Sequence, residues 1–99
     1  MFGSGMLDKL NAMKNLAEES KKKLDTIIAE GESGGGLIRI ELTGNRDFKS
    51  LSINTDHTQI SKEDLEDLLS VAFNRALENA NRINEQETMN SAKGLFPGL

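Results

Sequence analysis

Three consecutive glycines, Gly34 to Gly36, constrain the middle of this chain more than any other feature. The segment after them, "GLIRIELTG", alternates Ile38, Ile40 and Leu42 with polar residues, which is the period of a strand with one buried face. The β-branched segment "TIIAEG" comes before them. Because glycine adopts backbone conformations that other residues avoid, the run predicts the turn of a hairpin between two strands.

A second turn signal, "GNRD" at residues 44–47, precedes another alternating segment, "FKSLSIN". Leu51 and Ile53 alternate there with polar residues and predict a third strand. Phe48 falls out of phase with them, which indicates a bulge or a second contact surface. The economical arrangement is a three-stranded antiparallel meander.

A phosphate-binding loop is the alternative interpretation of the glycines. That loop requires G-x-x-x-x-G-K-[ST], but Leu37 and Ile38 stand where the lysine and hydroxyl residue belong. A dinucleotide-binding loop would open a helix, whereas these glycines precede a strand. A nucleotide-dependent enzyme therefore has only the glycines in its favour, and we predict no catalytic or cofactor-binding residues.

Two helical patterns flank the predicted strands. The first is a seam with alternating steps of four and three residues, widened by Leu7 and Leu16 and ending near residues 23–25: Met6, Leu10, Met13, Ala17, Ser20, Leu24. The second begins after Ser61, a helix-capping residue, and continues to about Met89 or Ala92. Its apolar stripe is the strongest periodic signal in the chain: Leu65, Leu68, Leu69, Ala72, Phe73, Ala76, Leu77, Ala80, Ile83.

The predicted fold class is α+β, with element order α-β-β-β-α and two long helices. We expect a single domain over residues 1–99, with a frayed N-terminus at 1–5 and an irregular C-terminal tail at 93–99. Only 36% of the residues are apolar, and tryptophan and tyrosine are absent. The core is therefore small, and we expect a homodimer because it would bury more apolar surface.

Composition also limits the kinds of site. The chain has no cysteine, which excludes disulfides and thiolate metal sites, and its only histidine, His57, is expected in a solvated loop. We predict no metal site, because the acids at Glu63 and Asp64 are explained by the dipole at the start of a helix. No apolar run approaches the roughly 18 residues of a membrane helix, and the first ten residues lack a signal-peptide pattern, so no membrane partner is expected.

The net charge is −4, so any contact with nucleic acid must come from local clusters of cations. The basic residues are densest in the first helix, at Lys14 and the run Lys21, Lys22 and Lys23. In the second helix Arg75 and Arg82 share a face with Asn79 and Gln86. These six cations are our candidate DNA contacts, and ordinary solvated helix faces are the alternative.

Several segments together resemble the YbaB/EbfC family of bacterial nucleoid-associated proteins. They are the "MFG" start, "EGESGGGLIRIELTG", "KEDLEDLLSVAFNRALENAN" and "KGLFPGL", which extend over nearly the whole chain. The first helix resembles the family less, because many members are rich in methionine and glutamine there.

The resemblance implies a tweezers-like homodimer whose helices project from a central sheet. It implies binding of double-stranded DNA in the bacterial cytoplasm, at the nucleoid, with effects on nucleoid organisation and gene expression. It implies no catalysis, cofactor, metal or small-molecule substrate. The rival hypothesis is a protein-interaction adaptor that uses the helix seam and the apolar tail.

Overall fold

The computed structural model describes residues 3–56 and 59–95. His57 and the tail residues 96–99 lie outside that part of the chain. Its elements follow the predicted α-β-β-β-α order and confirm the α+β class: α1 at Gly3–Asp25, β1 at Ile28–Ser33, β2 at Ile38–Thr43, β3 at Phe48–Ile53 and α2 at Lys62–Leu95. No helix among the described residues has an apolar stretch long enough to cross a membrane.

The three strands form an antiparallel sheet in the order β1-β2-β3, which confirms the predicted meander. Gly34, Gly35 and Gly36 form the first turn, and all three have positive φ angles of 63°, 68° and 95°. This left-handed region strains residues that carry a Cβ atom. The glycine run therefore serves the geometry of a hairpin.

The second turn and the bulge also follow the sequence pattern. In the turn, the Thr43 amide donates to the Asp47 carbonyl at 2.8 Å. The register then shifts, so that Ser50 lies opposite Glu41 while Phe48 lies opposite Leu42. The extra residue brings Phe48 to the same side of the sheet as Leu42.

Helix α2 crosses one face of the sheet and forms the core with it. Ile38, Ile40 and Leu42 of β2 and Ala29 of β1 are buried beneath α2, and the helix contributes three buried alanines: Ala72, Ala76, Ala80. The larger members of the predicted stripe are partly buried at its margins, except Phe73, which is 44% exposed, so its predicted place in the core is wrong. The Ser61 hydroxyl accepts a hydrogen bond from the Asp64 amide at 3.1 Å and confirms the predicted N-cap.

Some predicted boundaries differ from the structure. Helix α1 already begins at Gly3, within the segment expected to be frayed, and α2 continues to Leu95, within the expected irregular tail. Strand β1 begins at Ile28 rather than Thr26, because Thr26 closes the end of α1: its amide and hydroxyl both donate to the Lys23 carbonyl. β-Branched residues favour strands, but the helix end determines the backbone at Thr26.

The two helices meet only near the C-terminal ends of both. The Ser20 hydroxyl contacts Glu87 at 3.3 Å and also the Ser91 hydroxyl, while Lys23 Nζ lies 3.1 Å from Glu87. We call these four residues the helix clamp. Beyond it Met13 and the earlier members of the α1 seam are exposed, including Met6 and Leu10 at 57% and 54%. The seam therefore has no covering element among the described residues in the first half of α1.

Candidate nucleic-acid interface

Three of the predicted cations form an open basic surface on α1. Lys14, Lys21 and Lys22 are exposed, and no ion pair joins their side chains to another described residue. Lys14 and Lys21 are seven residues apart, which places them on the same face of a helix. We call these three residues the α1 lysine surface. An ammonium group that is solvated and unpaired is available to a phosphate oxygen without first breaking an ion pair.

Lys23 lies apart from that surface. It belongs to the helix clamp, where its ammonium group is paired with Glu87, although 61% of its side chain remains exposed. The sequence run Lys21 to Lys23 therefore divides between two sides of α1, because 100° per residue turns Lys23 about 200° away from Lys21. Lys23 is therefore a candidate contact that already has an ion-pair partner within the chain.

Arg75 and Arg82 of α2 face the outer edge of β1. Arg75 Nη1 donates to the Glu32 carbonyl at 2.7 Å, and the neighbouring Asn79 Nδ2 donates to the Glu30 carbonyl at 2.6 Å. Arg82 donates to Asn79 Oδ1 at 3.1 Å. Both arginines are exposed, but Arg75 already hydrogen-bonds to the backbone. The helical spacing placed these residues together correctly, yet it could not show that a strand edge lies beside them.

The balance of charge differs between the two helices. Helix α1 carries five lysines and four acidic residues, whereas α2 carries four basic and seven acidic residues. The sheet segment has an excess of acids as well. Of the two helices, α1 is thus the one with an excess of positive charge, and a polyanion would be attracted to it rather than to α2.

The outer face of the sheet is polar and acidic. Glu30, Glu32, Arg39 and Glu41 project there, since their neighbours in each strand face α2. A hydrogen bond between the two carboxyl groups raises the pKa of Glu32, and that hydrogen bond together with one from Arg39 lowers the pKa of Glu30. The single guanidinium group is engaged by Glu30, so this face offers no free cation to a phosphate.

Two cations near the second turn were not among our predicted contacts. Arg46 has a φ angle of 70° and donates through Nε to Asn81 of α2, and Lys49 is the extra residue of the β3 bulge. Arg46 therefore ties the turn to α2. No sequence signal distinguishes it from an ordinary loop cation, because its partner is 35 residues away.

No group of three or more potential metal ligands occurs among the described residues. The glycine turn leads into β2 and not into a helix, so it has no helix N-terminus to receive a phosphate. A cleft of about 490 Å³ lies between α1, α2 and the second turn, next to the helix clamp. Its lining is largely apolar and includes Met13, Leu16, Ala17, Leu24 and Ala92.

Comparison with known proteins connects this geometry to a family. The profile of the YbaB/EbfC DNA-binding family matches residues 2–95. A nucleoid-associated protein from Flavobacterium johnsoniae is 42% identical over 95 residues, which cover 96% of this chain and 89% of that protein. Another from Hahella chejuensis is 34% identical over 98 residues, with 96% and 91% covered.

The fold has a counterpart among solved structures. The crystal structure of the uncharacterized protein HP0035 from Helicobacter pylori superimposes with a TM-score of 0.82 at 23% identity, covering 93% of this chain and 98% of that one. This likeness concerns the fold alone. The match of the family profile from one end of the described chain to the other shows that the chain belongs to the YbaB/EbfC DNA-binding family.

Proposed function

We propose that this protein is a nucleoid-associated protein that binds double-stranded DNA as a homodimer, without catalysis. The observation that carries the proposal is the α1 lysine surface, an unpaired basic cluster on the helix that has an excess of positive charge. The names of the relatives from Flavobacterium johnsoniae and Hahella chejuensis support the same function.

Phosphate contact is the proposed mechanism. Lysine binds phosphate as a point charge, and neutralising phosphates releases counterions from the duplex. Such contacts carry no base sequence information, which suits a protein that acts along the nucleoid. Of the six predicted cations, Lys14, Lys21 and Lys22 are our primary contacts. Arg82, which donates to the Asn79 side chain, is secondary, and Lys23 and Arg75 are bound to Glu87 and to the β1 backbone.

A homodimer strengthens this mechanism because it presents the α1 lysine surface twice. Two arms on one particle bind a duplex with a higher effective concentration than one arm does. They also allow a tweezers-like particle to hold DNA between or along its arms. In the bacterial cytoplasm such binding would alter nucleoid organisation and, through it, gene expression.

The test removes the α1 lysine surface with the triple variant Lys14→Gln, Lys21→Gln, Lys22→Gln. Its matched control, Lys49→Gln, Lys62→Gln, Lys93→Gln, removes the same charge elsewhere. We measure fluorescence anisotropy of a labelled duplex over a series of KCl concentrations. For the wild type, log K should fall with log[KCl] by about 0.9 for each phosphate contacted.

We expect the triple variant to bind more than about tenfold more weakly at low salt and with a flatter slope, because phosphate contacts are lost. The control should retain most of the affinity and the wild-type slope. An equal loss of DNA affinity in both variants would show that only the net charge matters, and it would reject the α1 lysine surface as the contact site. A wild-type slope near zero would reject phosphate contact altogether.

A second function remains open because the first half of α1 exposes an apolar row, Met6, Leu7, Leu10 and Met13. A protein-interaction adaptor would use such a row to pack against a partner helix. This hypothesis predicts no retention of DNA by the wild type at any salt concentration. The same titration therefore separates it from the DNA-binding proposal.

A further inference from the structure

The cleft beside the helix clamp is an apolar groove that the described residues leave open. Its volume of about 490 Å³ is in the range of pockets that bury an organic molecule in other proteins. Met13, Leu16 and Ala17 line it on the α1 side, and Ala92 lines it on the α2 side. Among the described lining residues Lys21 alone is charged, and its side chain is exposed. We call this groove the clamp cleft, and its lining favours an apolar occupant.

Hydrogen bonds around the second turn show that α1 and α2 run antiparallel. The Gly44 amide donates to the Leu24 carbonyl at 3.0 Å, and the Gly44 carbonyl accepts from Asn84 Nδ2 at 3.1 Å, so Leu24 and Asn84 lie at the same level. One turn earlier in α1, Ser20 contacts Glu87, which is later in α2. The C-terminal end of α2 therefore lies beside the middle of α1.

The segment that follows α2 begins at the mouth of the clamp cleft. Ala92 lines the cleft, and α2 ends at Leu95, three residues or about 4.5 Å further along the axis. Residues 96–99, with the sequence Phe-Pro-Gly-Leu, come next. Four residues span up to about 13 Å, which is enough to return to the level of Ala92 and enter the cleft.

The sequence of residues 96–99 favours such a return. Proline and glycine at the second and third of four positions are typical of a type II turn, whose ends lie within about 7 Å of one another. Pro97 disfavours a helical conformation at Phe96, which agrees with the end of α2 at Leu95. Proline also limits the conformations of the undocked segment, and this lowers the entropy that docking costs.

Chemistry and covalent attachment favour this segment over a separate molecule. Residues 96–99 carry no charged side chain, so they can enter the cleft without removing a side-chain ion from water. Phe96 offers a large apolar surface for burial. The segment is joined to a helix that forms one wall of the cleft, so its effective concentration there is in the millimolar range that short links provide.

We propose that residues 96–99 dock in the clamp cleft of their own chain, with Phe96 as the apolar anchor between α1 and α2. The docked segment adds an apolar contact between the helices beside the polar contacts of the helix clamp. It covers Met13 and Leu16, whereas Met6 and Leu10 stay exposed. The segment thus braces the helix that carries the α1 lysine surface. The proposal concerns the free protein and does not depend on DNA binding.

The first test uses tryptophan fluorescence, because the chain has neither tryptophan nor tyrosine. Phe96→Trp places a single indole in the docking segment. In this background, Ala17→Asp introduces a carboxylate into the clamp cleft. The matched control, Asn15→Asp, adds the same charge about 200° around α1. Ala17 and Asn15 are both exposed, so both variants should keep the fold, which circular dichroism checks.

We expect the indole of Phe96→Trp to emit at shorter wavelength than it does in urea and to be protected from acrylamide quenching. Adding Ala17→Asp should move the emission to that of a solvated indole and remove the protection, whereas Asn15→Asp should change neither. A solvent-like indole in Phe96→Trp alone would overturn the proposal. Identical spectra for the two aspartate variants would overturn it as well.

A second measurement retains the native Phe96. The chain has no cysteine, so an introduced pair of thiols reports only its own separation. Under mild oxidation, Ala17→Cys combined with Leu99→Cys should form a disulfide within one chain, whereas Asn15→Cys combined with Leu99→Cys should keep both thiols. Thiol titration and non-reducing electrophoresis measure this. Equal disulfide formation in the two pairs, or a disulfide that links two chains through Ala17→Cys, would overturn the docking of the segment in its own chain.

Discussion

At the scale of single residues, Gly31 explains how α2 lies so close to the sheet. A Cβ atom at this position would overlap the Ala72 carbonyl oxygen and the Ala76 amide nitrogen. The three buried alanines of α2 complete the same close contact, since larger side chains would lift the helix. The strand and the helix backbone therefore pack directly on one another.

We predict that Gly31→Ala destabilises the protein by about 1–3 kcal/mol or more, because the added methyl group forces the helix and strand apart. The matched control is Gly5→Ala in α1, where nothing lies within 4 Å of the added atom and alanine favours the helix by about 0.5–1 kcal/mol. Urea unfolding followed by circular dichroism measures both. Equal midpoints for the two variants would contradict the close contact.

The sequence showed Gly31 only as the end of a β-branched segment. The alternation of β2 and, apart from Phe73, the stripe of α2 predicted their buried faces correctly, because periodicity is local to each element. The requirement for glycine comes from the crossing of two elements 41 to 45 residues apart, and no local pattern contains it. Likewise, no local pattern shows that Lys23 is paired while Lys21 and Lys22 are not, because the ion-pair partner of Lys23 is the distant Glu87.

At the scale of elements, the outer face of the sheet holds a pair of carboxyl groups whose pKa values diverge. Glu30 lies below its ordinary value of 4.5 and Glu32 lies above it. The lowered pKa of Glu30 adds stability above pH 4.5, which is lost as the pH falls through its folded-state pKa. The raised pKa of Glu32 adds stability below pH 4.5, and this stability is lost as the pH rises through the folded-state pKa of Glu32.

We predict that Arg39→Gln raises the pKa of Glu30 toward its ordinary value, because the variant loses a charged donor to that carboxylate. Carboxyl ¹³C chemical shifts recorded across a pH titration measure the pKa of each glutamate. Lys62→Gln, which removes a cation paired with Glu66 instead, is the control and should leave Glu30 unchanged. If Glu30 titrates identically in the wild type and in Arg39→Gln, the guanidinium group does not set its pKa.

Element order and strand number were predictable because each turn has a strong sequence signal. The candidate site was predictable only in part. Composition placed the cations in α1, but their division into free and paired residues depends on where α2 runs. Arg75 is the clearest case. Its spacing with Asn79 predicted one shared helix face, and in the structure both side chains on this face donate hydrogen bonds to carbonyls at the β1 edge.

At the scale of the whole molecule, the chain is long and thin. It measures 70 × 21 × 18 Å with a radius of gyration of 19.2 Å, whereas a compact domain of this length has a radius of about 13 Å. The core under α2 and the first half of α1 therefore differ greatly in packing. Local stability follows packing, and so the two regions should open with different free energies.

We predict that hydrogen exchange is slowest at the amides of β2 and becomes faster along α1 from Leu24 towards Met6. Leu24 is buried, whereas the first half of α1 has no packing partner among the described residues, and an isolated helix of that length is marginal in water. Exchange measured by NMR on the free protein provides the test. Protection of Leu10 equal to that of Ile40 would show that a contact covers the arm in solution.

The helix clamp also has a mechanical consequence. It holds α1 near one end only, so the helix is a lever, with a fulcrum at Ser20 and Lys23 and about 20 Å of free length beyond Leu16. The tip lies about 25 Å from Ser20, so a tilt of ~8° at the fulcrum displaces it by ~3.5 Å, about one base-pair step of the duplex. Hydrogen bonds to base edges do not survive such a displacement, whereas the attraction of lysines to phosphates does. Pivoting of α1 at this fulcrum thus favours DNA binding that does not depend on base sequence.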